Sequence, residues 1–312
     1  MPSAPDRILL TGASGFVGQH LSALIASAYP GSKLIKLAVD IRDETDVATA
    51  VRDSLPDICV HLAGVSTVAA AAEDETLAWQ VNLHGTLYLA RAIMRHAPDC
   101  QMLFVSSADA YGSSFRSGIS VTEETALAPM NTYGATKAAA DLALGSMAAR
   151  GLRVVRLRAF NHTGPGQTDS FVVPAFARQI ARIVAGLQEP ILRVGNLDTK
   201  RDFLDVRDIC RAYIACIGHR NTLAPGTILN LASGQAQRIG DLVTALQAMA
   251  GVPIEVMVDP TRVRIGDLPL ACGDATRAKA LIGWEPAIPW NVTLRDVFED
   301  WRNRVLHEAG GN

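Results

Sequence analysis

At 312 residues the chain is long enough to bury a large core, or one large domain with a smaller companion. A composition of 49% hydrophobic and 19% charged residues, with a formal charge of −2, describes an ordinary soluble globular protein and excludes a global basic surface for nucleic acid. No apolar run approaches the roughly 20 residues of a membrane span, and "MPSAPDRILLTGASG" has no basic stretch followed by an apolar one, so neither a membrane anchor nor a secretory signal is expected.

The five cysteines (Cys59, Cys100, Cys210, Cys216, Cys272) form no CxxC pair, and most lie in apolar stretches. They read as buried thiols in a reducing compartment, the cytoplasm, and no metal site is expected. Along the chain, short apolar β-type runs alternate with longer helical patterns. "RILLTG" is followed by a helix over Phe16 to Ala28, "KLIKLAV" by one over Thr45 to Ser54, and "DICVHLAG" by a long helix from about Thr76 to Arg95. Then come "QMLFVSS", a helix over 133 to 149, and "LRVVRLRAF". Strands with little polar alternation in βαβα order predict an α/β fold, a doubly wound parallel sheet buried on both faces.

After residue 160 the pattern changes. "NHTGPGQTDSF" is rich in turn formers, an amphipathic helix runs from about Pro174 to Gly186, and "TILNLASG" looks like a further core strand. Ile254 to Gly283 mixes short strands, prolines and arginines. The organisation expected is a nucleotide-binding domain over residues 1–160, with a return segment near 205–235. A smaller, discontinuous substrate domain takes up most of 161–312.

"LLTGASGFVGQHL" places Gly12, Gly15 and Gly18 directly after the first strand and into a helix. Gly12 permits a sharp turn, Gly15 a close backbone approach to phosphate, and Gly18 tight packing of helix on strand, with the helix N-terminus facing the negative charge. The spacing is GxxGxxG rather than GxGxxG. Asp40, in "LAVDIRD", either binds the adenosine ribose or sits with Ile41 on either side of the adenine. No arginine cluster marks a 2′-phosphate, so NAD and NADP both remain open. In "NTYGATKAAAD", Tyr133 and Lys137 are four apart and so share a helix face.

These pieces resemble the extended short-chain dehydrogenase/reductase family, in its nucleotide-sugar branch. The motifs span almost the whole chain: "TGASGFVG", "HLAG" at 61–64, "NLHGT" at 82–86, "VSSADAYG" at 105–112 and "YGATK" at 133–137. "RAFNHTGPGQ" at 158–167, "RDFLDVRD" at 201–208, and "RIGDLP" at 264–269 with a late "GW" follow in order. The resemblance implies a Rossmann sheet with a small substrate domain, an NAD(P)H cofactor and a homodimer through helices near 76–95 and 133–149. It makes Tyr133 the catalytic acid. Lys137 binds the nicotinamide ribose and lowers the phenol pKa, and Ser107 donates a hydrogen bond to the same sugar oxygen. It assigns the cofactor Gly12, Gly15, Phe16, Val17, Gly18, Asp40, Ile41, Leu62, Ala63 and Gly64. His61 resembles a cofactor-loop position but on its own reads as a satisfied core histidine. Asn82 braces backbone near the site.

Epimerisation, 4,6-dehydration and 4-keto reduction share this scaffold. In the dehydratases a glutamate two residues after the serine removes the C5 proton; here that position holds Asp109, one methylene shorter, beside Ala108. "RAFNHTGPGQTDSFVVPAFARQIA" and "VGNLDTKRDFLDVRDICRAY" are similar to the matching stretches of GDP-4-keto-6-deoxymannose reductases. That similarity implies a GDP-sugar substrate touched by Ser107, Ala108, Asp109, Asn161, Phe171 and Val172. Arg201, Arg262 and Arg264 fall to the diphosphate, and Asp267 to a ribose or sugar hydroxyl.

Overall fold

The structure is a computed structural model and describes residues 4–262 and 267–310. Through residue 163 the chain runs β1 (Arg7–Thr11), α1 (Phe16–Ala28), β2 (Lys33–Lys36), α2 (Glu44–Ser54), β3 (Ile58–His61), α3 (Val68–Glu73), α4 (Glu75–Trp79), α5 (Thr86–His96), β4 (Gln101–Ser107), α6 (Thr132–Ala148), β5 (Val154–Ala159) and β6 (Asn161–Thr163). It continues through α7 (Val172–Val184), β7 (Ile191–Val194), β8 (Lys200–Asp205), α8 (Val206–Gly218), β9 (Ile228–Leu231), β10 (Ala236–Arg238) and α9 (Ile239–Ala250). β11 (Glu255–Val258), β12 (Leu270–Ala271), α10 (Thr276–Ile282) and α11 (Trp290–Gly310) complete it.

Strands pair in parallel in the order β2-β1-β3-β4-β5-β9, so "TILNLASG" does return to extend the first sheet. Alternate residues of a strand face opposite sides, and the core divides accordingly. Ile8, Leu10, Ile58 and Val60 pack with Leu21 and Ile25 of α1 and Ile209 and Tyr213 of α8. Leu9, Cys59, Met102 and Phe104 pack on the other face with α2, α5 and α6. Burial on both faces explains why these strands read as continuous apolar runs. A third cluster joins Phe176 and Ile180 of α7, Leu242 and Leu246 of α9, and Val297, Phe298 and Trp301 of α11 with Leu192 and Phe203. It lies beside the smaller sheets β10-β8-β12 and β11-β7.

Several elements differ from expectation. The long helix over 76–95 is α4 and α5 joined by a π-helical turn, Gln80–Gly85. The Ile41 side chain fills the space beside Gly85, where a Cβ would lie 2.9 Å from it. α7 begins two residues before Pro174, which the first helical turn tolerates because its N–H groups have no intrahelical partner. The "NHT" of the turn-rich segment forms β6 and pairs with β8. No helix among the described residues is long and apolar enough to cross a membrane.

α6 is bound to the sheet by a buried ionic cluster. Asp141 has no exposed surface; its Oδ1 accepts from Arg156 Nη1 at 3.0 Å and its Oδ2 from Arg158 Nε at 3.1 Å. Arg158 also donates to the Tyr111 hydroxyl at 3.0 Å, which donates onward to Asn230 Oδ1 of β9 at 2.7 Å. Removing one member of such a cluster leaves buried charge uncompensated, at a cost of about 3–5 kcal/mol. Asp141→Ala is therefore expected to lower the unfolding free energy by about that amount in urea titrations.

Candidate active site

The order of the sheet reverses around β1, so a crevice opens at the carboxyl ends of β1 and β3, where open α/β sheets bind ligands. Gly12 turns there with φ +67°, and a Cβ on it would stand 2.7 Å from the Ala63 amide nitrogen. A Cβ on Gly18 would come within 2.2 Å of Gly12 O. Gly15, extended, is the N-cap of α1, with Phe16 and Val17 as its first residues. The result is a helix N-terminus at the floor of a crevice that any larger side chain would fill, which fits the pyrophosphate of a dinucleotide.

Thr11 ties the two strand ends together. Its Oγ accepts from the amides of Leu62 and Ala63 at 3.1 and 3.0 Å, so its proton goes to His61 Nδ1 at 2.7 Å. His61 Nε2–H then donates to Thr86 Oγ at 2.9 Å, and Thr86 donates to Asn82 O at 2.7 Å. Burial, and then the charge of Lys137, push His61 down to about 3, so the ring stays neutral. Of its two readings, the structure takes the satisfied core histidine. Asn82 does brace backbone: its Oδ1 accepts from Val65 N at 2.8 Å, and its Nδ2 donates to Val65 O at 3.1 Å and to Thr136 Oγ at 3.0 Å. Thr136 donates to the carbonyl of Tyr133 at 2.8 Å.

Asn131 starts α6, its Oδ1 accepting from Gly134 N at 2.8 Å, and this sets Tyr133 and Lys137 one turn apart on one face. Ser107, at the carboxyl end of β4, lies near the Tyr133 hydroxyl, and its own Oγ accepts from Asp109 N at 3.1 Å. Burial, then the nearby Asp109 carboxylate, raise the Tyr133 pKa, while the Ser107 hydroxyl pulls the other way. The phenol is held protonated. Lys137 is the residue to which the resemblance gives the lowering of that pKa. Its ammonium is turned instead to Val105 O at 3.0 Å, and burial lowers its own pKa to about 8. Gly64 closes the site: a Cβ there would lie 2.9 Å from Asn82 Oδ1 and 3.4 Å from Lys137 Nζ.

Asp40 is held by Arg42, which the sequence did not single out. Arg42 Nη2 lies 2.6 Å from Asp40 Oδ2 and its Nε 3.0 Å from both oxygens, which brings the carboxyl down to about 2. Ile41 between them is buried against the π turn, so its side chain serves packing. Arg42 stands in "DIRD", where a basic residue two after the acid is the available signal.

On the substrate side, Ala108 is buried after Ser107, Asn161 opens β6, and Phe171 and Val172 open α7. Arg201 Nη2 lies 2.5 Å from Asp267 Oδ1 and its Nη1 donates to Leu268 O at 2.8 Å. The Asp267 carboxylate assigned to a hydroxyl is thus already engaged in orienting an arginine. Arg262 is half-exposed, 3.4 Å from Asp259. Arg264 lies outside the described residues. Among the described residues no His, Cys, Asp and Glu side chains gather into a metal-binding group.

Residues 27–297 match the family model described as GDP-mannose 4,6 dehydratase. The chain is 39% identical to GDP-6-deoxy-D-mannose reductase of Pseudomonas aeruginosa, over 97% of this chain and 99% of that one. The solved structure of RMD from Pseudomonas aeruginosa complexed with NADPH superposes with a TM-score of 0.88 at 36% identity, covering 96% of this chain and 99% of the other. UDP-glucose 4-epimerase of Thermus thermophilus in complex with NAD gives 0.82 at 26% identity, covering 95% and 99%.

Two outcomes follow from this geometry. Gly18→Ala forces α1 off the turn, so the variant should lose binding of NADPH and NADH in a fluorescence titration. Lys137 is the second case: with a folded pKa of about 8 against an ordinary 10.5, the unfolded chain holds a proton that the folded one lacks between those values. The buried ammonium therefore costs stability below about pH 8, and the cost falls as pH rises toward 10. Denaturant unfolding of coenzyme-free protein should show wild type gaining on Lys137→Met across that window.

Proposed function

The chain belongs to the extended short-chain dehydrogenase/reductase family, and we propose that it is an NAD(P)H-dependent reductase of a GDP-linked 4-keto-6-deoxyhexose. The substrate we assign is GDP-4-keto-6-deoxy-D-mannose, and the product GDP-D-rhamnose or its C4 epimer. The observation that carries this is a protonated Tyr133 with Ser107 near its hydroxyl at the carboxyl edge of the sheet.

Bound NAD(P)H supplies a hydride to C4. Ser107 and Tyr133 bind the carbonyl oxygen, and Tyr133 gives it the phenolic proton as C4 gains the hydride, so the ketone leaves as a hydroxyl. Solvent returns a proton to the phenolate. Lys137, one turn along α6, places its ammonium where it holds the coenzyme ribose and steadies that transient charge. Gly12, Gly15 and Gly18 seat the pyrophosphate, while Leu62, Ala63 and Gly64 wall the crevice. The Asp40–Arg42 pair suits either coenzyme, the acid facing a ribose diol and the guanidinium a 2′-phosphate. Elimination is disfavoured because Asp109 is short and its carbonyl packs under Gly134, where a Cβ would lie 2.6 Å away.

Residues 1–160 and the return segment near 205–235 hold the coenzyme in this proposal, and 161–312 mainly hold the sugar nucleotide. The buried thiols suit a cytoplasmic enzyme, and the outward face of α6, with Leu142 61% exposed, suits a homodimer. Resemblance to UDP-glucose 4-epimerases supports a second reading, epimerisation with retained coenzyme.

Adding the 4-keto sugar nucleotide should consume nicotinamide absorbance stoichiometrically. Tyr133→Phe should lower kcat by about 10²–10⁴ with coenzyme affinity unchanged. Protein that carries tightly bound NAD and interconverts sugars without net coenzyme use would establish the epimerase instead.

A further inference from the structure

The turn formed by Pro165, Gly166 and Gln167 follows β6 and is held from two sides. From α1, His20 Nε2 donates to Pro165 O at 2.8 Å. From α11, Asp300 Oδ2 accepts from Gly166 N at 3.0 Å, and Arg304 Nη1 donates to Gln167 O at 3.2 Å. Asp300 and Arg304, one helical turn apart, are themselves paired at 2.8 Å. Gln167 closes the turn on the strand before it, its Nε2 donating to His162 O at 3.1 Å. Gly166 takes φ +93°, a conformation that a side chain would oppose.

The same segment lies against the first turn of α1. The His162 ring runs within 8° of parallel to that of Phe16, at 6.4 Å between centroids, and Phe16 meets His20 edge-on at 5.4 Å. Gly164 is also close, since a Cβ there would stand 2.5 Å from Val206 Cγ1 and 3.7 Å from Phe16 Cζ. Phe16 is the first residue after the N-cap Gly15, at the helix end that faces the pyrophosphate. Whatever fixes the turn therefore fixes one side of that helix mouth.

α11 is a firm anchor for it. Val297, Phe298 and Trp301 are buried in the third cluster, and the Arg304 guanidinium lies over the Trp301 ring at 4.8 Å. Hydrogen bonds to charged groups are stronger and more directional than neutral ones, so this pair suits a positioning task. We propose that Asp300 and Arg304 are positioning residues for the coenzyme, acting through the turn at 165–167 rather than by contact, a role that rests on the coenzyme reading above. By reciprocity, bound coenzyme must then stabilise the closed turn by the same factor.

Fluorescence titration with NADPH and NADH tests this on wild type and on Asp300→Ala, Asp300→Asn, Arg304→Ala and Glu299→Ala, each well below its melting temperature. Asp300→Ala and Arg304→Ala should weaken both coenzymes by about three- to thirtyfold, the span of couplings carried through such contacts. Asp300→Asn keeps an acceptor for Gly166 N, so it should bind more tightly than Asp300→Ala. Glu299 pairs with Arg302 on the same helix at 2.9 Å, and among the described residues this pair has no hydrogen bond to the turn. Glu299→Ala should therefore bind as wild type does. Hydrogen exchange gives a readout that needs no variant to fold. Gly166 is exposed and its amide is bonded to Asp300, so saturating NADPH should slow exchange in wild-type peptides covering 164–168. Unchanged exchange there overturns the proposal, as do folded Asp300→Ala and Arg304→Ala proteins with wild-type affinity, or an equal loss in Glu299→Ala. Each of these leaves the coenzyme reading intact, whereas wild type with no affinity for either nucleotide overturns both.

Discussion

The position of α6 against the sheet is the constraint on which the site depends, and a buried charge holds it. Tyr133, Lys137 and Asp141 follow one another at four-residue steps along one helix face. Asp141 sits without exposed surface between Arg156 and Arg158 of β5. Taking a carboxylate and two guanidiniums out of water is costly, and the cost is offset because the cluster is densely hydrogen-bonded, through Tyr111 and Asn230 as far as β9. An apolar contact could hold the helix down as strongly. It would not fix rotation and height as narrowly, because dispersion is non-directional and bidentate ion pairs are not.

The front of α6 is held by a different device, a directional hydrogen-bond chain. It begins at Thr11, where the phosphate turn starts, and passes through His61 and Thr86 to the carbonyl of Asn82. The Asn82 side chain carries it on through Thr136 to the carbonyl of Tyr133. A neutral His61 is required, since a charged imidazole could not accept from Thr11. Burial ensures that neutrality. The same chain depends on the π turn, which rotates Asn82 inward toward Val65 and Thr136. Coenzyme crevice and proton donor are thus parts of one bonded frame.

What was legible in the sequence is what local spacing encodes. The glycine turn, the Tyr133–Lys137 pair and Ser107 at a strand end each sit within a few residues of the backbone feature that creates them. The π turn was not legible, because Gly85 within it is packed against Ile41, more than forty residues away. The engagement of Asp267 by Arg201 is a contact across the fold, as is the Asp141 cluster, and neither leaves a periodic trace. Lys137 shows the limit most clearly. The motif sets Tyr133 and Lys137 one helical turn apart, but whether the ammonium tunes the phenol depends on the Val105 carbonyl toward which it is turned.

Burial of Tyr133, and then the charge of Asp109, bias the choice between chemistries that share this frame. A carboxylate close to a phenol disfavours phenolate, so Tyr133 enters the reaction carrying its proton. An oxidation that starts from an alcohol needs the opposite, a phenolate ready to accept. An elimination needs the carboxylate itself to reach the sugar at C5, yet Asp109 is one methylene short and its backbone is pinned by Ser107 and Gly134. Reduction of a ketone needs what is present: a loaded acid, a second donor on the same oxygen, and burial that, with a nearby carboxylate, keeps the acid loaded.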